Sequence, residues 1–183
     1  MTLSAGNVTR MVASYSYDDI GRLVSLKRSG NAGIVNYAYN IRNWLKEAKS
    51  DRFCQNLLYE NTGAYPCFNG NISRMQWQTS KDNVLRVYDF AYDGLNRLEE
   101  STYAEGAGMS QNKNRYSENI LSYSPNGSIE RLQRYGKKNN GTFGLIDDLT
   151  YSYNGNQIKA ISDKAGSLLY NGSFDFKDGA NAD

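Results

Sequence analysis

Residues 15–23 read Tyr-Ser-Tyr-Asp-Asp-Ile-Gly-Arg-Leu, and this pattern returns in variant forms along the chain. Two tyrosines spaced by two residues point to the same face of an extended strand. Asp18 favours the start of a tight turn because its carboxylate accepts bonds from backbone N–H groups just ahead of it. Gly21 suits a position where φ is positive. The stretch therefore predicts a β-hairpin with a three-residue loop and a bulge, in which Tyr17 faces Leu23.

The same pattern returns along the chain. Its second aromatic residue recurs at intervals of 22 to 31 residues, at Tyr17, Tyr39, Phe68, Tyr92, Tyr123 and Tyr153. Asn43 and Asn96 stand where Gly21 stood, and Asn tolerates a positive φ better than other non-glycine residues. Residues 68–72 and 153–158 contain Asn-Gly, which predicts two-residue turns. Because different turns serve the same pattern, we interpret the hairpin itself as the repeating unit.

The repeat predicts an all-β fold, an antiparallel meander of hairpins that forms a curved, open sheet or a shell segment and resembles a β-solenoid. Residues 1–183 are expected to form a single domain of about six to seven hairpins, a fragment of a larger chain. We expect the face that carries tyrosine and leucine to be the covered one. The residues that define the repeat are Tyr15, Tyr17, Asp18, Gly21, Arg22, Leu23, Tyr37, Tyr39, Tyr92, Asp93, Tyr123, Gly127, Tyr151 and Tyr153.

Two segments need a separate interpretation. Residues 44–49 contain good helix formers and an apolar pair four residues apart, but they align with the second strand of the first hairpin. Agreement with the repeat favours a strand there. Residues 173–176 read Ser-Phe-Asp-Phe and predict the start of one more strand of the same kind.

The composition narrows the classes of function. The chain has 183 residues, 21 basic and 19 acidic, and 15 of its residues are Tyr against 6 Phe. Tyrosine suits a sheet with one covered and one wet face. The near balance of charge argues against a nucleic-acid partner. No apolar run approaches the ~18 residues of a membrane helix, and residues 1–12 contain no apolar signal-peptide core. A segment of an exported protein would look the same.

Catalytic chemistry has little support in the sequence. The chain has no histidine, which excludes Ser-His-Asp and Cys-His nucleophile systems and most catalytic zinc sites. The carboxylate pairs 18–19, 99–100 and 147–148 are adjacent in sequence, so in a strand their side chains would face opposite ways. A glycosidase needs two carboxyl groups that face each other across the sugar. We therefore predict that the chain is not an enzyme and holds no metal and no cofactor.

The cysteines and tryptophans each leave two interpretations. Cys54 and Cys67 suit either two small buried apolar side chains or a disulfide across a hairpin in an oxidising compartment. Trp44 and Trp77 could stack on sugar rings as a glycan site, or they could belong to cross-strand aromatic ladders that hold hairpins in register. The ladder is the interpretation we favour.

The string Tyr-x-Tyr-Asp-x-x-Gly-Arg-Leu at 15–23 resembles the signature of the Rhs/YD-repeat family. Residues 37–40, 90–98 and 151–154 are its degenerate copies, and the resemblance covers about 14–176. Residues 67–72 are similar to a variant of the large YD-repeat proteins of Bacteroidetes-type bacteria. The resemblance implies a winding antiparallel sheet of hairpins stacked edge to edge. In large members this sheet coils into a hollow shell around a toxic C-terminal domain, or it forms a surface barrel in adhesion proteins.

One departure from the family limits what the resemblance implies. The family's core segment carries an Asp-Pro-x-Gly self-cleavage motif, whereas the prolines here are Pro66 and Pro125 and neither follows an aspartate. The chain is therefore expected to be a wall segment and not a complete encapsulating device.

The function expected from this resemblance is a non-catalytic structural segment of a bacterial protein that is secreted or located at the cell surface. Its expected partners are neighbouring repeats of the parent protein, with a cell-surface glycan or protein as a further candidate. Open sheet edges predict homo-oligomers. The alternative function is a carbohydrate- or cell-surface-binding module that uses aromatic side chains on the sheet face.

Overall fold

The computed structural model describes residues 2–5, 8–29, 33–60 and 65–165. The strand predicted at 173–176 lies outside the described residues. Fourteen strands and no helix occur in the described ranges. The strands are β1 (Thr2–Ala5), β2 (Val8–Met11), β3 (Ala13–Tyr17), β4 (Leu23–Arg28), β5 (Ile34–Tyr39), β6 (Leu45–Lys49), β7 (Phe53–Leu58), β8 (Arg74–Thr79), β9 (Arg86–Tyr92), β10 (Leu98–Glu105), β11 (Glu118–Tyr123), β12 (Ile129–Lys137), β13 (Phe143–Asn154) and β14 (Gln157–Asp163).

The strands follow one another in space in the order of the sequence. β1 and β2 form a two-stranded antiparallel sheet, and β3 to β14 form a twelve-stranded sheet without a crossover. The predicted all-β antiparallel meander is thus confirmed. Residues 45–49 form β6, as the repeat predicts and as local helix propensity alone would not. In the described residues, no helix is long and apolar enough to cross a membrane.

Contacts within the chain divide it into two units, residues 1–87 and residues 88–183, and each is described by itself. The first contains the hairpins β3–β4, β5–β6 and β7–β8. The second contains the hairpins β11–β12 and β13–β14 together with β10. In each hairpin, the strand before the turn is called incoming and the strand after it outgoing.

The first hairpin has the predicted register. Tyr17 is the partner of Leu23, and a bulge lies between Ser16 and Tyr17. The N–H of Gly21 donates to the carbonyl of Asp18 at 3.0 Å, and Gly21 has a φ of +84°. Most residues with a side chain are strained at this φ, so the turn favours glycine here, and asparagine fills the same position at Asn43 and Asn96 with a φ of +63°.

The repeat copy predicted at Phe68 is wrong. The N–H of Cys67 donates to the carbonyl of Tyr59, and the N–H of Ser73 donates to that of Leu58. Residues 67–73 are therefore a loop between β7 and β8, and Phe68 is 66% exposed. The Asn-Gly pair within it makes a local bend, because Gly70 has a φ of +100°.

The Asn-Gly pair at 154–155 was predicted to form the two loop residues of its turn, but it lies one position earlier. Asn154 pairs with Gln157, so the two loop residues are Gly155 and Asn156. Gly155 has a φ of +60° and comes first of the two. A glycine in that place is typical of a type II′ turn.

In β5 the covered face is the one expected, whereas the tyrosines of β3 are exposed. Every second residue of β5 is half-buried and those between are exposed, and the tyrosines are on the half-buried side. Tyr15 and Tyr17 of β3, by contrast, are 47% and 59% exposed. β3 is at one end of the strand order, so the described sheet has no further strand over which these rings could lean. The buried apolar residues are Ala13, Leu26, Tyr59 and Val87 in the first unit and Tyr103, Ala104, Ile146 and Leu149 in the second.

Candidate functional site: the contacts between successive hairpins

The backbone pairing between successive hairpins stops short of the turns. Between β4 and β5 the last pair towards the turns is Ser25 with Asn36, and between β6 and β7 it is Glu47 with Asn56. All four strands continue beyond these pairs. The outgoing strand of one hairpin and the incoming strand of the next therefore leave backbone groups near the turns that need other partners.

A tyrosine hydroxyl bridges each of these unpaired stretches. The tyrosine lies at the end of an incoming strand or within one residue of it, and its hydroxyl donates to the carbonyl of the first residue of the preceding outgoing strand. We call these bonds the tyrosine latches. They run from Tyr39 to Leu23 (2.9 Å), from Tyr59 to Leu45 (2.8 Å), from Tyr123 to Leu98, and from Tyr153 to Ile129 (2.6 Å). Each latch supplies a donor to a carbonyl that the sheet leaves unpaired.

The turn aspartate organises the turn and positions the arginine that follows it. Asp18 Oδ1 accepts from the backbone N–H of Arg22 at 2.8 Å and of Ile20 at 3.2 Å. Its other oxygen accepts from Nε of Arg22 at 2.7 Å. The backbone bond from Arg22, followed by the side-chain bond from the same residue, lowers the pKa of the Asp18 carboxyl.

The same arrangement occurs in the second unit. Asp93 Oδ1 accepts from the backbone N–H of Arg97 and of Leu95, each at 2.8 Å, and Oδ2 accepts from Nε of Arg97 at 2.6 Å. The backbone bond from Arg97 is the main reason that the pKa of Asp93 is lowered. Two turns in different units thus reach the same geometry from the same residue types.

Each of these arginines also lies over the ring of the next latch tyrosine. Cζ of Arg22 is 4.9 Å from the ring centroid of Tyr39, and Cζ of Arg97 is 4.3 Å from that of Tyr123. A guanidinium at this distance is attracted by the face of the ring. The aspartate holds the arginine, and the arginine holds the ring whose hydroxyl makes the latch.

Burial also affects the latch phenols. It raises the pKa of Tyr59 and of Tyr123, while Arg97 opposes the rise at Tyr123. A protonated phenol is the form that can donate to a carbonyl. The setting of these hydroxyls therefore favours the latch at neutral pH.

Tyr59 is the latch residue that the sequence reading missed. Two other predicted repeat residues, Tyr37 and Tyr151, lie in β5 and β13 opposite Ala48 and Ile161. A signal for Tyr59 is present, since an asparagine stands three residues before it, as Asn36 stands before Tyr39.

The other predicted repeat residues lie at turns. Tyr92 ends β9 immediately before Asp93. Gly127 has a φ of +86° and donates its N–H to the carbonyl of Ser124. In that turn Ser124 takes the place of the aspartate, and its Oγ accepts from the N–H of Ser128 at 3.1 Å.

Trp44 makes a ring contact of the kind that the ladder interpretation describes. The ring of Trp44 lies 5.0 Å from that of Tyr59, and Cζ of Arg42 lies 5.2 Å from its centroid. A Cβ on Gly70 would be 3.3 Å from Cζ2 of Trp44, so the loop backbone is also against this ring. Trp77 lies in β8 opposite Gln55. These contacts give no support to Trp44 as a sugar platform.

The two cysteines are free thiols and both are half-buried. The backbone N–H of Cys67 donates a hydrogen bond to the carbonyl of Tyr59. Tyr59 follows the end of β7 and lies five residues after Cys54. Five residues of strand span about 16 Å, whereas the Cα atoms of a disulfide lie within about 7 Å. The disulfide interpretation thus gains no support, and burial raises the pKa of the Cys67 thiol.

The adjacent carboxylates Asp147 and Asp148 of the second unit are engaged with arginines. Asp147 is fully buried, and its Oδ2 lies 2.7 Å from both Nε and Nη2 of Arg134. Asp148 lies 3.3 Å from Nη2 of Arg131. Within the described ranges no group of three His, Cys, Asp or Glu residues is arranged to hold a metal.

Comparison with known proteins gives no family. No protein-family model matches the chain, and a search of the curated proteins finds no match.

Proposed function

We propose that this chain is a non-catalytic structural segment of a YD-repeat protein, in which its hairpins build part of a β-sheet wall or shell. The observation that carries the proposal is the tyrosine latch, which occurs four times among the described residues with the same donor and the same kind of acceptor. A contact that repeats along the chain serves the joining of repeats and not a single reaction.

The small amount of buried apolar surface supports this role. Four apolar residues are buried in each unit among the described residues, so a hairpin on its own has little core. In repeat architectures, stability comes from the interface between neighbouring units. The latches and the arginine–tyrosine contacts lie at that interface and fix the register of one hairpin on the next.

The setting of the protein follows from the same proposal. A wall segment of this kind belongs to an exported bacterial protein, secreted or at the cell surface, with neighbouring repeats of the same protein as its partners. Enclosure of a toxic domain and contact with another cell are the two uses that such a wall would have.

Electron microscopy of the native protein tests the proposal. Residues 13–163 are expected in a continuous wall of paired strands, with the latch tyrosines between adjacent hairpins. A density map that places this segment in a separate appendage, or as hairpins without lateral pairing, would contradict the wall role. Catalytic turnover that is lost when the protein is unfolded by heat, and that maps to this segment, would contradict the non-catalytic role.

A further inference from the structure

Two interfaces between hairpins depart from the others in their turn residue. Arg22 and Arg97 each follow a turn and lie over the next latch tyrosine, but Trp44 occupies that position after the second turn and Ser128 occupies it before the Tyr153 latch. The ring of Trp44 is inclined at 45° to that of Tyr59 and packs against it. Since the repeat departs from its own rule at Trp44, this interface is one place to look for a separate function.

A cavity of about 360 Å³ lies at this interface. It is lined by Lys46 of β6, by Asn56, Leu57 and Tyr59 in and just after β7, and by Gln76 of β8. The β6–β7 pairing stops at Glu47 and Asn56, at the level of this cavity. The volume is within the range of small-molecule sites, which is about 300–1,000 Å³.

Several polar groups of the cavity are available to a ligand. Within the described part of the chain, no ion pair or side-chain hydrogen bond is formed by Lys46 or by Gln76. Asn56 and Gln76 are cross-strand partners, which brings their amides side by side, and Nδ2 of Asn56 donates to Sγ of Cys54 at 3.9 Å. Asn40 and Glu60 also line the cavity, but the first accepts two backbone bonds of its own turn and the second is paired with Nη1 of Arg42 at 2.5 Å. The cavity therefore offers one unpaired cation, the amide of Gln76 and the amide oxygen of Asn56.

These groups specify the chemistry of the occupant. An unpaired lysine ammonium at the edge of a cavity favours a carboxylate. A primary amide donates and accepts at once, which matches hydroxyl groups. Leu58 also lines the cavity, and its side chain shares a sheet face with Asn56, so it provides an apolar wall for the C–H face of a sugar ring.

We propose that this cavity binds a hydroxylated carboxylate of the size of one sugar unit, a hexuronic acid residue of an acidic saccharide. Lys46 pairs with the carboxylate, and the amides of Asn56 and Gln76 bond to ring hydroxyls. The site uses neither Trp77 nor an exposed aromatic face. Lys46, Asn56 and Gln76 take no part in the latches.

Calorimetric or NMR titration of the full chain with sodium galacturonate and sodium glucuronate tests the proposal. Galactose is the neutral probe of the same shape. We expect at least one uronate to bind, and galactose to bind about tenfold more weakly or not at all, because it lacks the carboxylate.

Matched lysine variants locate the site. Lys46→Met is expected to weaken uronate binding about tenfold, whereas Lys49→Met, an exposed change in the same strand outside the cavity, leaves it unchanged. Circular dichroism shows whether both variants keep the sheet. Absence of binding by both uronates at millimolar concentration overturns the proposal. Equal binding of galactose, or equal binding by Lys46→Met, overturns it as well.

Discussion

The hydroxyl of Tyr39 lies 2.9 Å from the carbonyl oxygen of Leu23, a residue sixteen positions earlier in the chain. Leu23 is the first residue of β4, where pairing with β5 has already ended. Cζ of Arg22 lies over the same tyrosine ring. One side chain thus carries two contacts between hairpins, a hydrogen bond at its tip and a cation–π contact on its face.

Removal of this hydroxyl is expected to destabilise the fold. Tyr39→Phe keeps the ring and leaves the Leu23 carbonyl without its donor, which lowers the free energy of unfolding by about 1 kcal/mol. Tyr15→Phe removes an exposed hydroxyl outside the latches and should change the free energy by less than about 0.5 kcal/mol. Urea unfolding followed by circular dichroism measures both. Equal effects of the two variants would show that the latch contributes nothing.

The two turn glycines Gly21 and Gly94 offer a matched pair. A Cβ on either residue meets no atom within 4 Å, but Gly21 has a φ of +84° and Gly94 lies outside the positive-φ region. Gly21→Ala is therefore expected to cost about 1 kcal/mol of stability through backbone strain alone. Gly94→Ala should be neutral or stabilise by up to about 1 kcal/mol, because it restricts the unfolded chain. The opposite order in thermal unfolding would refute the assignment of the turn.

Local signals and distant contacts differ in how far the sequence predicts them. The turn at Asp18 and Gly21 is encoded within five residues, so its register could be predicted and was confirmed. The positive φ of Asn43 and Asn96 was predictable for the same reason. The role of Tyr59 depends on Leu45, fourteen residues away, and on where a ladder ends. The Asn-Gly pair next to Phe68 is the stronger local signal, so the repeat was predicted at Phe68 and not at Tyr59.

The candidate cavity lies beyond sequence prediction for a related reason. Trp44 is visible in the sequence. Its contact with Tyr59 and the position of the cavity depend on where the β6–β7 ladder ends, which the sequence does not state. Lys46 and Gln76 are thirty residues apart and carry no motif. Pairing of three strands brings them to one cavity.

Gly136 is required by close packing and not by its backbone. A Cβ at this buried position would lie 2.6 Å from Cδ1 of Ile146. Gly136→Ala is therefore expected to lower the free energy of unfolding by about 1–3 kcal/mol through overpacking. Ile146→Val removes Cδ1 and on its own costs about 0.5–1.5 kcal/mol. The double variant should be more stable than the sum of the two losses predicts, and simple additivity in urea unfolding would exclude this contact as the cause.

Acid should weaken the turns through their aspartates. The pKa values of Asp18 and Asp93 are lowered in the folded state, so the contribution of each carboxylate is complete above its ordinary pKa of 3.8. It is lost as the pH falls from there through the folded value. Urea midpoints of the wild type are expected to fall between pH 6 and pH 3. In Asp18→Asn the fall should be smaller, because the amide keeps the backbone bonds, as Asn40 does at 2.9 and 3.0 Å, and does not titrate. An identical pH dependence of the two proteins would remove Asp18 from the explanation.

Alkali should open the latches from the other end of the pH range. Burial raises the pKa of Tyr59 and of Tyr123 above the ordinary value of 10, and it raises that of Tyr88 to about 12. Folding therefore favours the protonated phenol, and this contribution is complete below pH 10 and is lost as the pH rises through the folded values. A phenolate can no longer donate to the carbonyl of Leu45 or Leu98. Absorbance at 295 nm should show a group of tyrosines that ionises above pH 10 together with loss of the sheet signal. In Tyr59→Phe the amplitude of this group should decrease by one residue, and an unchanged amplitude above pH 10 would contradict the burial of the Tyr59 phenol.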